Sequence, residues 1–271
     1  MAELPAQQHN PVLERAMSKV PEVTVAFWLT KVLTTGMGET ASDFLFQHLA
    51  PPIGLAIGLV GLVVALLLQF RTHRYVPWIY WFAVAMVSVF GTMAADAAHV
   101  GAGIPYSAST VFFLVALAVI FAGWYRSEKT LSIHSIYTRR RELFYWATVL
   151  ATFALGTAAG DLTAKTLNMG YLPSAVAFGV IIAVPLVAHL WLRVNAIAAF
   201  WFAYVVTRPL GASFADWFAV PKKASGLGWG TGQITVVLTI VIVGLVCYLT
   251  KTASAGRHSS SRRADASYSS E

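Results

Sequence analysis

Cysteine is almost missing from this 271-residue chain: Cys247 stands alone, inside an apolar run. It can build neither a disulfide framework nor a thiolate metal cluster. Charge is equally thin. Asp, Glu, Lys and Arg make up 11% of the residues against 57% hydrophobic ones, and a soluble domain carries roughly twice that charge. No HExxH, no Ser/Lys or Ser/His arrangement at matched depth and no Gly-rich phosphate loop is present, so an enzyme is not expected. Strand-like alternation is absent too. Residues 1–22 are polar and lack the apolar core of a signal peptide, so the first hydrophobic segment is expected to be retained.

What the chain does contain is long apolar segments and a repeated word. Trp-x9-Gly-x4-Asp occurs four times, as Trp28/Gly38/Asp43, Trp81/Gly91/Asp96, Trp146/Gly156/Asp161 and Trp201/Gly211/Asp216. Each copy lies in a stretch long enough to cross a bilayer and ends in the group a bilayer tolerates least. Four equivalent aspartates imply a repeated architecture that gathers them around an interior polar site. The mean hydropathy of +0.66 agrees with membrane residence.

Apolar segments fall near 23–47, 53–70, 77–99, 105–125, 142–166, 172–193, 195–218 and 229–250. The expected fold is an all-α polytopic membrane protein, with eight transmembrane helices in four parallel two-helix repeats around a pseudo-fourfold axis. The corresponding divisions are an N-terminal segment 1–22, repeats at 23–75, 76–126, 142–194 and 195–251, a basic loop 127–141 and a disordered tail 252–271. Most Lys and Arg residues fall on one side: Arg15, Lys19, Arg71, Arg74, the run from Arg126 to Arg141, Arg193 and the tail. Lys165, Lys222 and Lys223 fall on the other. The positive-inside rule then places both termini in the cytoplasm. The net charge of +7 is explained by these loops, and nucleic acid is not an expected partner.

In this frame the tryptophans read as interfacial anchors near the cytoplasmic side. From Trp to Asp is 15 residues, about 22 Å of helix, so the aspartates share one level in the outer half of the membrane. The glycine of each word reads as a close-packing position between helices. Glu39 adds a fifth acid one turn before Asp43.

Carboxylates here need a partner, a proton or water, and hard divalent cations suit them. The expected metal ligands are Glu39, Asp43, Asp96, Asp161 and Asp216, with hydroxyls such as Thr34, Thr35, Ser42, Thr92, Thr157, Thr207 and Ser213 nearby. His99, one turn beyond Asp96, and His48 tilt the choice toward Mn²⁺. Lys31 and Arg208 occur once each among the repeats and read as internal countercharges that pair with Glu39 or an aspartate and gate the site. Clustered acids hinder one another's ionisation, which suits exchange of protons for a metal. The basic loop EKTLSIHSIYTRRRE (128–142) admits two readings: an orientation signal, or an interfacial gate with His134 or Glu128 as sensor. His189 reads as a core histidine.

The expected function is transport of a divalent cation, Mn²⁺ ahead of Mg²⁺ and Ca²⁺, with lipid, metal ion and proton as partners and no cofactor required. Two other classes stand beside it: a metal-dependent membrane-embedded enzyme, and a structural or regulatory membrane protein that docks through its basic loop and tail. The repeat word, the text KVLTTGMGETASD, the loop text TLSIHSI with the following RRE and FYW, and RPLGASFADW together resemble one family. It is the bacterial four-repeat inner-membrane family known as a repeat of unknown function in uncharacterised membrane-anchored proteins. The resemblance spans residues 20 to 250 and implies duplicated hairpins in a bacterial plasma membrane; it transfers no catalytic or binding residue.

Overall fold

The computed structural model describes residues 18–268, apart from the side chains of residues 100, 186, 189, 190, 192 and 253–268. Eight helices account for nearly all of the described residues: α1 (Val25–His48), α2 (Pro51–Arg71), α3 (Pro77–Asp96), α4 (Tyr106–Glu128), α5 (Arg139–Asp161), α6 (Tyr171–Leu192), α7 (Ala196–Ala219) and α8 (Thr231–Tyr268). Local chemistry sets their starts. The Thr24 hydroxyl caps α1, Thr138 caps α5 and Asn195 caps α7, while α2 and α3 open on proline, where a missing N–H leaves no bond unmade.

Among the described residues, six helices are long and apolar enough to cross a membrane. The first, α1, matches them in length but carries Lys31, Glu39 and Asp43, and α6 is interrupted by Pro185. The protein is a multi-pass membrane protein built from parallel repeats. The sequence predicts disorder from residue 252, yet the backbone of α8 stays helical to Tyr268. Adding residues to an existing helix avoids the cost of nucleating one, and no proline interrupts this stretch.

The odd-numbered helices, which carry the repeated word, form a closed inner ring: α1 packs on α3, α3 on α5, α5 on α7 and α7 on α1. The even-numbered helices cover them from outside, but not as simple hairpins. Each packs chiefly on the odd helix of the next repeat: α2 on α3, α4 on α5, α6 on α7, and α8 back on α1. Their outward residues, among them Val60, Val63, Phe112, Val115, Val180, Val236 and Ile240, are exposed apolar groups suited to lipid.

The glycine of the word makes this ring possible. A Cβ on Gly38 would collide with Ser88, one on Gly91 would meet Phe153 Cβ at 2.8 Å, one on Gly156 would overlap Arg208, and one on Gly211 would overlap Thr35. Ser88, Phe153, Arg208 and Thr35 occupy one repeat position, three residues before the glycine. Each glycine thus receives the corresponding side chain of its neighbour, in cyclic order, with the fourth repeat receiving the first.

A second cyclic contact lies near the start of the odd helices. Every word is preceded by an aromatic residue (Phe27, Tyr80, Tyr145, Phe200) that meets its own tryptophan edge-on at 5.2 Å. It also packs on the tryptophan of the next repeat: Phe27 on Trp81 at 5.7 Å, Tyr80 on Trp146 at 5.7 Å, Tyr145 on Trp201 at 6.2 Å and Phe200 on Trp28 at 5.6 Å. This corrects the reading of the tryptophans as interfacial anchors. Trp81, Trp146 and Trp201 are buried and Trp28 is half-buried, because each lies on the side of its helix that faces a neighbour in the ring.

Two segments close over this aromatic layer. Ile133 and Ile136 of the loop after α4 join the same core, and Trp201 Nε1 donates to Leu131 O at 2.9 Å. Residues 18–20 form a strap, with Lys19 N donating to Ile136 O at 2.9 Å and Tyr75 N to Ser18 O at 3.1 Å. Lys19 Nζ pairs with buried Glu142 at 2.6 Å, and Gln69 Nε2 donates to the other carboxylate oxygen at 3.2 Å. Of the two proposed sensors, Glu128 is bound by Arg141 at 2.8 Å and His134 is exposed.

Candidate metal centre

Reading each odd helix in steps of four residues gives the layers of the interior. Eleven residues before the glycine stand Phe27, Tyr80, Tyr145 and Phe200; seven before it, Lys31, Val84, Val149 and Tyr204. Three before it stand Thr35, Ser88, Phe153 and Arg208; one after it, Glu39, Thr92, Thr157 and Ala212; five after it, Asp43, Asp96, Asp161 and Asp216. Apart from Phe200, Asp43 and Asp96, which are half-buried, all of these residues are buried. A four-residue step is the i±4 ridge along which packed helices interlock. The layers turn from aromatic to cationic to acidic along the axis.

Arg208 is the central group. Its guanidinium, fully buried, meets Glu39 Oε2 at 2.5 Å and Thr157 Oγ1 at 2.7 Å, and it also reaches Thr92 Oγ1. Four groups from four different helices thus converge, three of them from the layer just past the glycine. The fourth residue of that layer, Ala212, is small, which leaves room for the arginine from the layer before it. An uncompensated charge at this depth is strongly unfavourable, so Glu39 and Arg208 stabilise each other. The expected pairing of Arg208 with Glu39 is present.

Lys31 differs from its expectation. Its Nζ has no hydrogen-bond partner and sits 4.0 Å from the Phe153 ring centroid and 4.2 Å from that of Tyr204. Two turns separate it from Glu39 on α1, so the acid is beyond its reach, and the aromatic faces supply a cation–π environment instead.

Beyond Arg208 lies the acidic layer. One ligand atom each from Asp96, His99 and Asp161 falls within 4.8 Å of the others. Asp43, Asp96 and Asp216 are each in Coulombic range of Glu39, Asp161 and Lys165. Glu39, Asp161 and Asp216 also line one narrow gap with Thr157, Ser213 and Tyr171. Asp216 Oδ1 is buried there without a hydrogen-bond partner. Glu39, Asp161 and Asp216 therefore face a common gap, Asp96 joins Asp161 in the three-residue cluster, and Asp43 lies in neither.

His99 is presented with care. Its Nε2 lies 2.5 Å from Ser109 Oγ, whose hydroxyl lies 3.1 Å from the Tyr106 carbonyl. A serine has one proton; given to the carbonyl, it leaves Oγ to accept from Nε2–H. The Nδ1 lone pair is then free, and that atom is buried without a partner. Fixing one ring nitrogen so that the other can bind is the usual second-sphere arrangement of a metal-ligating histidine.

Asp96 and Asp161 each lead into a π-helical turn, Ala97–Gly101 and Leu162–Thr166. Such widened turns concentrate at functional sites. The second carries Lys165, whose Nζ lies 2.9 Å from Asp161 Oδ1. Sequence reasoning counted Lys165 only among the basic residues of the outer side and missed Ser109 altogether; the four-residue step from Asp161 to Lys165 was the available signal. His48 lies apart from the cluster: it is exposed, tilted against Phe44 at 4.1 Å between ring centroids, with Nδ1 2.8 Å from the Phe44 carbonyl. Five of the seven hydroxyls named with the acids, Thr34, Thr35, Thr92, Thr157 and Thr207, bond to carbonyls of their own helices. The side chain of His189 lies outside the described residues.

A family model described as a repeat of unknown function, DUF347, matches this chain four times, at residues 26–75, 79–130, 144–195 and 199–254. No curated protein and no solved structure matches it.

Proposed function

The chain belongs to the DUF347 repeat family, and from that premise we propose that it is a membrane carrier for a divalent metal cation, with Mn²⁺ ahead of Mg²⁺ and Ca²⁺. The observation that carries the reading is the convergence of Asp96, His99 and Asp161 within 4.8 Å inside a helical bundle. Carboxylate oxygens with one imidazole form the donor set that suits Mn²⁺ among common hard and borderline ions. Asp43 and Asp216 add negative charge around the same space, and Asp216 Oδ1 still lacks a partner. Protons are the natural exchanging species, because the acids cannot all hold charge without a cation among them.

The layers supply the rest of the cycle. The ion approaches from the acidic end, which we place on the periplasmic side of a bacterial inner membrane, with both termini cytoplasmic. Inward movement is barred by the Glu39–Arg208 pair, then by Lys31 between its aromatic rings, then by the cyclic aromatic layer. This succession of closed layers supports a carrier over an open channel. Release on the inner side requires Arg208 to let go of Glu39, so the ion competes with a cation the protein supplies itself.

The test is Mn²⁺ flux into proteoliposomes. The wild type is expected to accumulate the ion, and Asp161→Asn to lose flux by about tenfold or more. Equal flux through a monodisperse Asp161→Asn protein removes the proposal.

A further inference from the structure

Lys165 is a cation at the metal centre that the repeat does not require. Its repeat-equivalents are Gln47, Val100 and Val220, so only the third unit places an ammonium there. It binds Asp161 Oδ1 at 2.9 Å, a carboxylate oxygen of one of the three clustered residues. The ammonium therefore competes with an incoming ion for the Asp161 carboxylate.

Its surroundings let it leave. The Lys165 side chain is 46% exposed while that of Asp161 is 7% exposed, so the stem opens to the protein surface and the acid does not. Arg208, the other cation paired to this acid system, is sealed at 0% and has no such exit. The Lys165 Nζ also lies 5.5 Å from the Tyr106 ring centroid, a second resting place for the ammonium after it parts from Asp161. Tyr106 meets His99 edge-on at 4.3 Å, so the same ring borders the imidazole of the metal site. Lys165 stands on the π-helical turn that leaves Asp161, the widest backbone in that helix.

We propose that Lys165 is a tethered counter-cation that holds the outer mouth of the metal site closed and is displaced from Asp161 when a divalent ion binds. The inference rests on the metal-site reading and adds a regulator to it. In the empty state the ammonium keeps Asp161 compensated. A divalent ion brings twice that charge and additional ligands, so it wins the oxygen only by paying for the displacement. Lys165 thereby sets the affinity and keeps weakly bound monovalent ions out.

The experiment measures Mn²⁺ binding to the full-length protein in detergent by calorimetry, for wild type, Lys165→Gln, Lys165→Met and Asp161→Asn. The half-exposed side chain makes both lysine variants tolerable to the fold, and having two keeps the test intact if one is unstable. Removing the competing cation is expected to tighten Mn²⁺ binding about tenfold in both, with Asp161→Asn losing it. Wild-type or weaker affinity in the lysine variants, with binding still lost in Asp161→Asn, overturns the gate and leaves the metal site standing. No binding by any of the four proteins overturns both.

Discussion

At the scale of single residues, the glycine of each word acts through the space it leaves. A methyl group at Gly156 would collide with the stem of Arg208 and come within 3.0 Å of Pro209 Cδ. Arg208 cannot retreat, because its head is held by Glu39 and Thr157. Gly156→Ala is therefore expected to destabilise the protein by about 2 kcal/mol, the typical cost of overpacking a closed core. Gly101→Ala is the control, since nothing lies within 4 Å of its missing Cβ. Thermal unfolding in detergent should show a drop of several degrees for the first and little change for the second. The buried lysine and arginine carry a similar lesson: each occurs once among the repeats, which the sequence displays, but their partners do not follow from depth. Arg208 found its carboxylate, whereas Lys31 lies two turns away and settles between rings.

At the scale of helices, the decisive fact is which helix covers which. Length, spacing of apolar segments and proline positions made all eight helices legible, and the word made their parallel repetition legible. Hairpin connectivity suggested that α1 and α2 pack together, yet α8 is the helix seated on α1. Thr235 Oγ1 donates to Thr40 Oγ1 at 2.9 Å across that contact. A protein with Thr40→Cys and Thr235→Cys in a Cys247→Ser background is expected to form an intramolecular disulfide under mild oxidation. Gel mobility with and without reductant reads it out, and failure to cross-link would show that the ends of the chain do not meet in the membrane. The tryptophans were misread for the same reason: an aromatic near a span end faces headgroups only if its side of the helix faces lipid, and these lie on the sides that face one another.

At the scale of the molecule, the acidic layer was legible because a repeat places equivalent residues at equivalent heights. The closure at the opposite end was not, because it depends on contacts between distant segments: the strap 18–20, the loop after α4 and Glu142. Closure also predicts how the halves behave. Chains ending and restarting after His134, which is exposed, keep the contacts of α4 with α5 and of α8 with α1 between the two pieces. Co-expressed halves are expected to co-purify as one species, and each half alone to aggregate with its inner helices unsheltered. Size-exclusion chromatography distinguishes these outcomes.

The cyclic fit of glycine against its neighbour's side chain would serve equally well in a homomeric assembly of four separate hairpins. In such an assembly, however, an arginine at the axis would come in fours, and so would the lysine below it and the glutamate above. Joining the units in one polypeptide fixes the stoichiometry of charge at the axis to one of each. The covalent links between repeats are what allow a symmetric scaffold to hold an asymmetric electrostatic interior.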